Sequence, residues 1–242
     1  MILEVENLRV KYDKAEVLKN VNIKIREGEI ASLIGQNGSG KSTLFKAICG
    51  LIRPVKGVIR FLGGNIEQSD AEAILRQGIG YVPQGHRVFP SLTVDENLDI
   101  GAYLLHSARL IRDRKEELYA KFPMLTDKAK DLAAHLSGGQ QQILGFARAL
   151  ILSPKLLLLD EPSLGVDPKT LDIILETVMQ LKCEGVTIFV IEQNVRAALS
   201  IADRVYFLKD GEIVAEDSPL DIEEKLDFLL WNPLSPGPPS LG

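Results

Sequence analysis

The glycine-rich segment at residues 35–43, which reads GQNGSGKST, limits the possible folds of this chain more than any other segment. It matches the pattern G-x-x-x-x-G-K-[ST] at every fixed position. Residues 30–34 before it have the apolar character of a short buried strand, and residues 44–51 after it carry apolar side chains at helical spacing. This order predicts a cradle for phosphate groups, because the loop N–H groups and the positive end of the helix dipole point at the anion.

Each residue of this loop has a predicted place around a bound nucleotide. The Lys41 side chain would reach the β- and γ-phosphates, and the Ser42 hydroxyl would take one position around Mg²⁺. A chance glycine-rich turn is the alternative, and the flanking strand and helix disfavour it. The predicted nucleotide-binding residues of the loop are Gly35, Gln36, Asn37, Gly38, Ser39, Gly40, Lys41, Ser42 and Thr43.

A second stretch, residues 156–161, joins a run of leucines to two acids, Asp160 and Glu161. A buried strand that ends in carboxylates places them at the carboxyl edge of a parallel sheet, beside the phosphate loop. Asp160 would hold Mg²⁺ through its water shell, and Glu161 would orient and deprotonate the attacking water. The alternative is an ordinary strand end with two solvated acids.

A third stretch, residues 136–140, reads LSGGQ and opens a helix. A serine and two glycines at a helix N-terminus predict a second anion-binding site. By itself the pentapeptide would be an ordinary helix cap, but its place 20 to 24 residues before Asp160, after a helical insertion, makes it far more specific. The residues of this predicted site are Ser137, Gly138, Gly139 and Gln140.

Apolar runs alternate with helical segments through most of the chain, which predicts an α/β fold with a mostly parallel, buried sheet. Segments that favour β structure come first, at residues 2–10 and 21–25, with Tyr12 between these two strands. From residue 86 to 135 helical periodicity replaces the β patterns. This part of the chain is therefore predicted to be an all-helical insertion in the α/β core.

The predicted boundaries make the 242 residues a single domain with subdivisions. Residues 1–85 and 136–228 form the α/β core with its β subdomain, and residues 86–135 form the helical subdomain. Residues 229–242 are expected to be a flexible tail, because residues 232–242 contain four prolines and two glycines and cannot build a packed element.

Charge and hydropathy limit the classes of function. The formal net charge of −5 argues against non-specific binding of nucleic acid. The N-terminus lacks a basic region and a long apolar run, so no signal peptide is expected. The sequence contains no uncharged apolar run long enough to span a bilayer, so action at a membrane would require a partner.

Together these stretches resemble the ATPase subunits of ABC transporters over residues 1–228. Residues 35–43 match the Walker A motif of that family, residues 156–161 the Walker B motif and residues 136–140 the LSGGQ signature. The resemblance implies a P-loop NTPase (RecA-like) core with an N-terminal antiparallel β subdomain and an all-helical insertion subdomain.

The resemblance also implies roles for three further residues. Gln84 matches the Q-loop glutamine, which senses Mg²⁺ and couples to the membrane partner. Tyr12 matches the aromatic residue that stacks on adenine, although an exposed tyrosine at a strand end is the alternative. Asp167, in the segment 163–167, fits the D-loop of the family.

One position departs from the family pattern. The family usually has a histidine after the strand that here ends at Ile191, and this chain has Gln193 in its place. A glutamine can still donate a hydrogen bond to the γ-phosphate, but it cannot titrate. The alternative is that Gln193 only caps the helix that begins near Asn194.

Three short stretches narrow the resemblance to one group. Residues 83–90, 161–165 and 192–194 resemble the ATPases of branched-chain amino-acid importers, whose close relatives carry urea, amides or other amino acids. That group often lacks the D-loop aspartate, whereas this chain keeps Asp167.

The resemblance implies a transport ATPase that uses ATP and Mg²⁺. ATP would lie between the phosphate loop of one subunit and the signature of a second, in a homodimer or heterodimer. Closure would drive transmembrane permease subunits, which receive solute from a binding protein. The chain would then be cytoplasmic, on the inner face of the cell membrane, with no nucleic-acid partner.

Two alternatives share the core motifs. One is an ABC ATPase of lipid or polysaccharide export. The other is a soluble ABC ATPase that acts on nucleic acid or the ribosome, which the single cassette and the net charge of −5 disfavour.

Overall fold

A computed structural model describes residues 1–85 and 88–231 as two β-sheets with helices packed around them. The strands are β1 (Leu3–Tyr12), β2 (Ala15–Ile25), β3 (Ile30–Ile34), β4 (Lys56–Phe61), β5 (Gly64–Asn65), β6 (Ile79–Val82), β7 (Leu156–Asp160), β8 (Thr187–Glu192), β9 (Arg204–Lys209) and β10 (Glu212–Asp217). The α-helices are α1 (Lys41–Ile48), α2 (Ala71–Gln77), α3 (Val94–Gly101), α4 (Ala108–Lys121), α5 (Pro123–Thr126), α6 (Gly138–Leu150), α7 (Pro168–Cys183), α8 (Val195–Ile201) and α9 (Pro219–Trp231). Two parts of the predictions lie outside the described residues, namely His86 and Arg87 in the stretch 83–90 and residues 232–242 of the expected tail.

The first sheet is antiparallel, with the strand order β2-β1-β4-β5. Its apolar residues alternate with exposed or half-buried ones, so that Leu3, Val5, Leu8 and Val10 of β1 are all buried. This alternation is the pattern of a sheet with one face on the core.

The first hairpin is longer than predicted. β1 runs to Tyr12, which pairs with Ala15 at the start of β2, so the placement of Tyr12 between two shorter strands is wrong. The added residues at this end of the hairpin include the exposed Lys11 and the half-buried Glu16. Backbone hydrogen bonds hold these residues in the sheet. The pattern of apolar side chains does not predict that pairing.

The second sheet is mostly parallel, with the strand order β10-β9-β3-β8-β7-β6. Every residue of β3, β7 and β8 is buried, as expected for strands covered on both faces, here by helices and by the first sheet. Because parallel strands run in one direction, the carboxyl ends of β3, β6, β7 and β8 lie at one edge of the sheet. The phosphate loop, Gln84, Glu161 and Gln193 follow these strands at that edge.

The segment 88–135 contains α3, α4, α5 and a short 3₁₀ helix at Ala133–His135. In the described part of this segment, β pairing is confined to one isolated bridge between Thr93 and Leu132. Phe122, after α4, meets Phe146 of α6 edge-on with ring centroids 6.3 Å apart. The prediction of an all-helical insertion is therefore confirmed, while its boundaries at residues 86 and 135 stay a prediction.

The C-terminal helix α9 is an element that the sequence interpretation missed. It packs against β9, β10 and α8 through the buried Ile222 and Leu229 and the partly buried Leu226 and Leu230. The expected tail therefore cannot begin at residue 229, because α9 continues to Trp231. In the described part of the chain, none of the helices is both long enough and apolar enough to cross a membrane.

Candidate active site

The phosphate loop joins β3 to α1, and its geometry requires a glycine at Gly40. This residue is the N-cap of α1 and has a φ of 108°, in the left-handed region. A Cβ atom there would lie 2.7 Å from Leu18 Cδ2 and 3.1 Å from the carbonyl oxygen of Val17. Because a side chain would be both strained and crowded, the glycine allows β2 to pack directly against the loop.

Lys41 is the first residue of α1, and its side chain is hydrogen-bonded to the loop itself. The Nζ atom donates to the carbonyl oxygens of Gly35 at 2.8 Å and Gln36 at 3.1 Å. Burial lowers the pKa of the Lys41 ammonium, and the carboxyl groups of Glu161 and Asp160 oppose this shift. The lysine thus lies close enough to both acids to interact with them electrostatically.

A cavity of about 350 Å³, which we name the loop cavity, opens beside the phosphate loop. Its volume falls in the range of roughly 300–1,000 Å³ that is typical of small-molecule sites. It brings together the loop, β2 and the segments that follow β6, β7 and β8. Its lining residues are Val17, Asn37, Gly38, Gly40, Lys41, Ser42, Thr43, Gln84, Glu161 and Gln193.

Four predicted nucleotide-binding residues near the loop are not part of this lining, as far as the described residues show: Tyr12, Gly35, Gln36 and Ser39. Tyr12 is 44% exposed at the end of β1, and the nearby lining comes from Val17 of β2 instead. The stacking role of Tyr12 therefore stays a prediction.

Asp160 ends β7 and is 3% exposed. Its two carboxylate oxygens have separate donors: Ser42 Oγ donates to Oδ1 at 3.2 Å, and the Tyr81 hydroxyl donates to Oδ2 at 3.1 Å. Burial raises the pKa of Asp160, and these two hydrogen bonds oppose the shift. Ser42 and Asp160 together offer a hydroxyl and a carboxylate, which are the hard oxygen ligands that suit Mg²⁺.

Glu161 follows β7 and brings the three predicted catalytic residues together. Glu161 is buried, with 4% of its surface exposed, and its backbone has a φ of 53°. Gln84 Nε2 donates to Glu161 Oε2 at 2.6 Å, and Gln193 Nε2 donates to Oε1 at 2.5 Å. Each oxygen of the carboxylate is therefore held by one neutral amide at the edge of the loop cavity.

The alternative role of Gln193 as a helix cap is wrong. Helix α8 begins at Val195, and its N-cap is Asn194, whose Oδ1 accepts a hydrogen bond from the Ala197 N–H at 3.2 Å. The shorter amide side chain reaches the free N–H groups of the first turn, as is usual for asparagine at this position. The side chain of Gln193 contacts Glu161 instead.

The signature residues cap α6 and lie outside the loop cavity of their own chain. Gln140 N–H donates to Ser137 Oγ at 3.3 Å, and Ser137 N–H donates to Gln140 Oε1 at 2.9 Å, which makes a capping box. Among the described residues, the lining of the loop cavity includes neither of these nor Gly138 or Gly139. Their contact with a phosphate stays a prediction.

Asp167 also caps a helix rather than lining the loop cavity. It is the N-cap of α7 and accepts hydrogen bonds from the Thr170 hydroxyl at 2.7 Å and from the N–H groups of Lys169 and Thr170. These bonds, those from Thr170 first, lower the pKa of the Asp167 carboxyl. Thr170 in turn packs against Gly139, so the predicted D-loop and signature segments meet.

Two residues of the site were missed by sequence reasoning. Tyr81 of β6 donates to Asp160, and the buried Glu192 at the end of β8 accepts hydrogen bonds from Ser163, Gln193 and Asn194. The sequence does contain a signal for Glu192, because this acid directly follows the apolar run of β8, as Asp160 follows the leucines of β7.

A second cavity, of about 250 Å³, lies between β6 and the helices α2, α3 and α6, and we name it the helical groove. The guanidinium of Arg148 lies over the ring of Phe89 at 5.0 Å in this region. The lining residues are Leu75, Gly80, Tyr81, Val82, Pro83, Gly85, Phe89, Ile100, Gly101, Tyr103, Gln142, Gly145, Arg148, Ala149 and Leu152.

Comparison with known proteins places this arrangement in one family. Residues 18–164 match the family described as "ABC transporter". The high-affinity branched-chain amino acid transport ATP-binding protein BraG of Pseudomonas aeruginosa is 42% identical over 219 residues, which cover 90% of this chain and 93% of BraG. The probable branched-chain amino acid transport ATP-binding protein LivF of Archaeoglobus fulgidus is 36% identical over 228 residues, which cover 94% of this chain and 96% of LivF.

A solved structure has the same fold. The ATP-binding cassette MJ0796, in a dimeric post-hydrolysis state bound to ADP and Pi, superimposes with a TM-score of 0.81 at 30% identity, over 90% of this chain and 98% of the cassette. The predicted P-loop NTPase fold, with its antiparallel β subdomain and helical insertion, is thus confirmed. This chain belongs to the ATP-binding subunits of the ABC transporter family, and it is an ABC-type ATPase.

Proposed function

We propose that this chain supplies the ATP-driven step of an importer for branched-chain amino acids. The proposal for ATP hydrolysis rests on the Glu161 carboxylate, which Gln84 and Gln193 hold at the edge of the loop cavity. The proposal for the solute is supported by the similarity to BraG and LivF over nine tenths or more of this chain.

The phosphate loop would bind ATP through its backbone N–H groups and Lys41. The Lys41 ammonium would exchange the loop carbonyls of Gly35 and Gln36 for the β- and γ-phosphates. The side chains of Ser42 and Asp160 would hold Mg²⁺, which when bound neutralises charge on the phosphates. Tyr12 would stack on the adenine ring from the end of β1.

Glu161 would act as the general base. It would take a proton from a water molecule whose oxygen forms a bond to the γ-phosphorus, while the bond from that phosphorus to ADP breaks. Gln84 and Gln193 hold both carboxylate oxygens in place. The Gln193 amide would also serve as a neutral γ-phosphate contact. A fixed base is favoured because it needs no reorganisation as the reaction proceeds.

A second ATPase subunit would complete the site. Ser137, Gly138, Gly139 and Gln140 lie outside the loop cavity of their own chain, so we propose that they cover the nucleotide of a partner. Asp167 would lie at the same contact, since Thr170 joins it to Gly139. The partner is a second copy of this chain or a different ATPase.

The helical groove would receive the transmembrane permease. It is lined by exposed apolar side chains, Phe89, Ile100 and Tyr103, and also by Tyr81, whose hydroxyl contacts Asp160. Large exposed apolar residues around a cavity are typical of binding surfaces. Docking here would keep the chain at the cytoplasmic face of the membrane and link it, through the permease, to a solute-binding protein.

We also propose that the functional division follows the predicted boundaries. Residues 86–135 would form the permease-facing subdomain, and residues 1–85 and 136–228 would hold the nucleotide. Export of a lipid or polysaccharide remains the alternative, because that group shares the same core motifs.

The test is solute uptake in a strain that lacks only this chain. We expect wild-type protein to restore uptake of radiolabelled leucine and Lys41→Ala to restore none. Lys46→Ala is the matched control, because Lys46 is an exposed residue of the same helix α1. Leucine uptake that is unchanged by loss of the chain would overturn the assigned solute, and labelled urea or surface lipid would then be assayed in the same strain.

A further inference from the structure

Glu192, the last residue of β8, is a buried acid that the proposed mechanism does not use. It is 2% exposed, and its carboxylate accepts four hydrogen bonds. Ser163 donates from its N–H at 2.9 Å and from its hydroxyl at 2.6 Å. The N–H groups of Gln193 and Asn194 donate at 3.2 and 3.3 Å.

We infer that Glu192 is a positioning residue that fixes Ser163 and Gln193 relative to each other and thereby sets the geometry of the Glu161 carboxylate. The inference rests on the proposed role of Glu161 as the general base. It adds a residue that is not itself among the described residues lining the loop cavity, although it contacts one of them, Gln193.

The contacts form a closed ring. The chain runs from Glu161 through Pro162 to Ser163, which is hydrogen-bonded to Glu192. The next residue, Gln193, returns to Glu161 through its side-chain amide. A displacement of the segment 163–167 would therefore be passed through Glu192 to Gln193 and to the base.

The ring requires a carboxylate at the position of Glu192. All four donors point hydrogen atoms at Glu192, and a glutamine in its place would turn an amide N–H₂ group towards some of them. The four donors are neutral groups. Burial raises the pKa of Glu192 and so disfavours its charged form. None of the described basic side chains is among the groups that shift the pKa of Glu192. Burying a carboxylate that no cation pairs is costly, which favours a functional reason for the acid.

Glu192→Gln is the variant that tests the inference. We expect kcat for ATP hydrolysis to fall by roughly ten- to a hundredfold, because charge-assisted hydrogen bonds are lost and the base is displaced. The KM for ATP should stay within about twofold, since the phosphate loop is intact. An unchanged kcat, or a raised KM with an unchanged kcat, would overturn the inference.

Glu29→Gln is the matched control. Glu29 is a buried carboxylate, 9% exposed, directly before β3 at the opposite edge of the parallel sheet, where it pairs with Arg204. We expect this variant to lower the melting temperature and to leave kcat per folded molecule unchanged. If both variants lose kcat only in proportion to folded protein, Glu192 is merely structural and the inference fails.

A double-mutant cycle with Gln193→Ala separates coupling from independent effects. If Glu192 acts through Gln193, Glu192→Gln should cost at least threefold less in kcat when Gln193 is already alanine, whereas fully multiplicative losses would contradict the ring. Should Glu192→Gln fail to fold, Ser163→Ala removes one donor and must lower kcat severalfold at an unchanged KM; a wild-type kcat overturns the inference. If instead Glu161→Gln itself hydrolyses ATP normally, the proposed base is wrong.

Discussion

Gln193, which the sequence resemblance predicts at the position of a family histidine, holds one oxygen of Glu161 through a neutral amide. A hydrogen bond from a neutral amide to an ionised carboxylate is charge-assisted and contributes roughly 1.5–3 kcal/mol, against about 0.5–1.5 kcal/mol when both partners are neutral. The residue is therefore expected to support hydrolysis without adding a titratable group near neutral pH.

Gln193→Ala should slow ATP turnover by roughly tenfold, because one contact to the base is lost. Gln193→His should be tolerated and should introduce a pH dependence near neutrality, where histidine titrates. Both are measured as kcat against pH, with melting temperature determined on the same preparation.

The control for this prediction is Asn194→Ala. Asn194 caps α8 through Ala197, so its loss should lower stability by about 1 kcal/mol and leave kcat per folded molecule unchanged. If Gln193→Ala behaves like Asn194→Ala, the contact with Glu161 has no part in hydrolysis.

Single residues of the site differ in how well the sequence predicts them. Lys41, Asp160 and Glu161 lie in contiguous motifs whose flanking strand and helix can be recognised, and the structure brings them together. The partners of Glu192 include Ser163, 29 residues away in sequence. Only the pairing of β7 with β8 brings these two together, and local sequence patterns do not specify that pairing.

Two helices begin side by side where the signature meets the D-loop. Gly139 in the first turn of α6 lies against Thr170 of α7, and a Cβ on Gly139 would lie 2.2 Å from Thr170 Oγ1. The Thr170 side chain cannot easily move, because its hydroxyl is bonded to Asp167. Glycine at this position therefore sets the distance between the helices.

Gly139→Ala should destabilise the chain by about 1–3 kcal/mol through overpacking between α6 and α7. The matched control is Gly145→Ala in the same helix, where an added Cβ meets no atom within 4 Å of the described structure. That variant should be neutral or stabilising by up to about 1 kcal/mol, because alanine favours helix. Equal melting temperatures for the two variants in thermal unfolding would contradict this packing account.

Elements with strong apolar runs were predicted best. The short buried strand predicted at residues 30–34 is confirmed, because β3 has the same bounds, Ile30–Ile34, and all of its residues are buried. Helix α9 was missed although Ile222, Leu226 and Leu229 recur at helical spacing. The composition of the proline-rich residues that follow does not predict a packed element, whereas docking on β9 and β10 stabilises this helix.

At the scale of the whole molecule, the loop cavity and the predicted signature residues 137–140 are separate in the described part of the chain. Exposed Ser137 is the N-cap of α6, and the described lining of the loop cavity does not include it. Ligand binding by the chain and hydrolysis by the assembly should therefore be separable by substitution at the signature.

Ser137→Arg should abolish ATP hydrolysis while leaving the affinity of the isolated chain for ATP within about twofold, because the loop cavity is untouched. Ser107→Arg is the matched control, since exposed Ser107 caps α4 in the same way through the Leu110 N–H. Both lose a cap worth about 1 kcal/mol, and hydrolysis should survive in the control. Retained hydrolysis by Ser137→Arg would show that the signature does not complete a site.

The central claim is that Glu161, held between Gln84 and Gln193, is the base for ATP hydrolysis. The most direct measurement is kcat of Glu161→Gln at saturating ATP and Mg²⁺, with ATP affinity determined on the same preparation. The amide keeps the shape of the side chain but cannot accept the proton, so kcat should fall by roughly 10²–10⁴-fold with binding intact. Hydrolysis at the wild-type rate by a variant that binds ATP normally would contradict the claim.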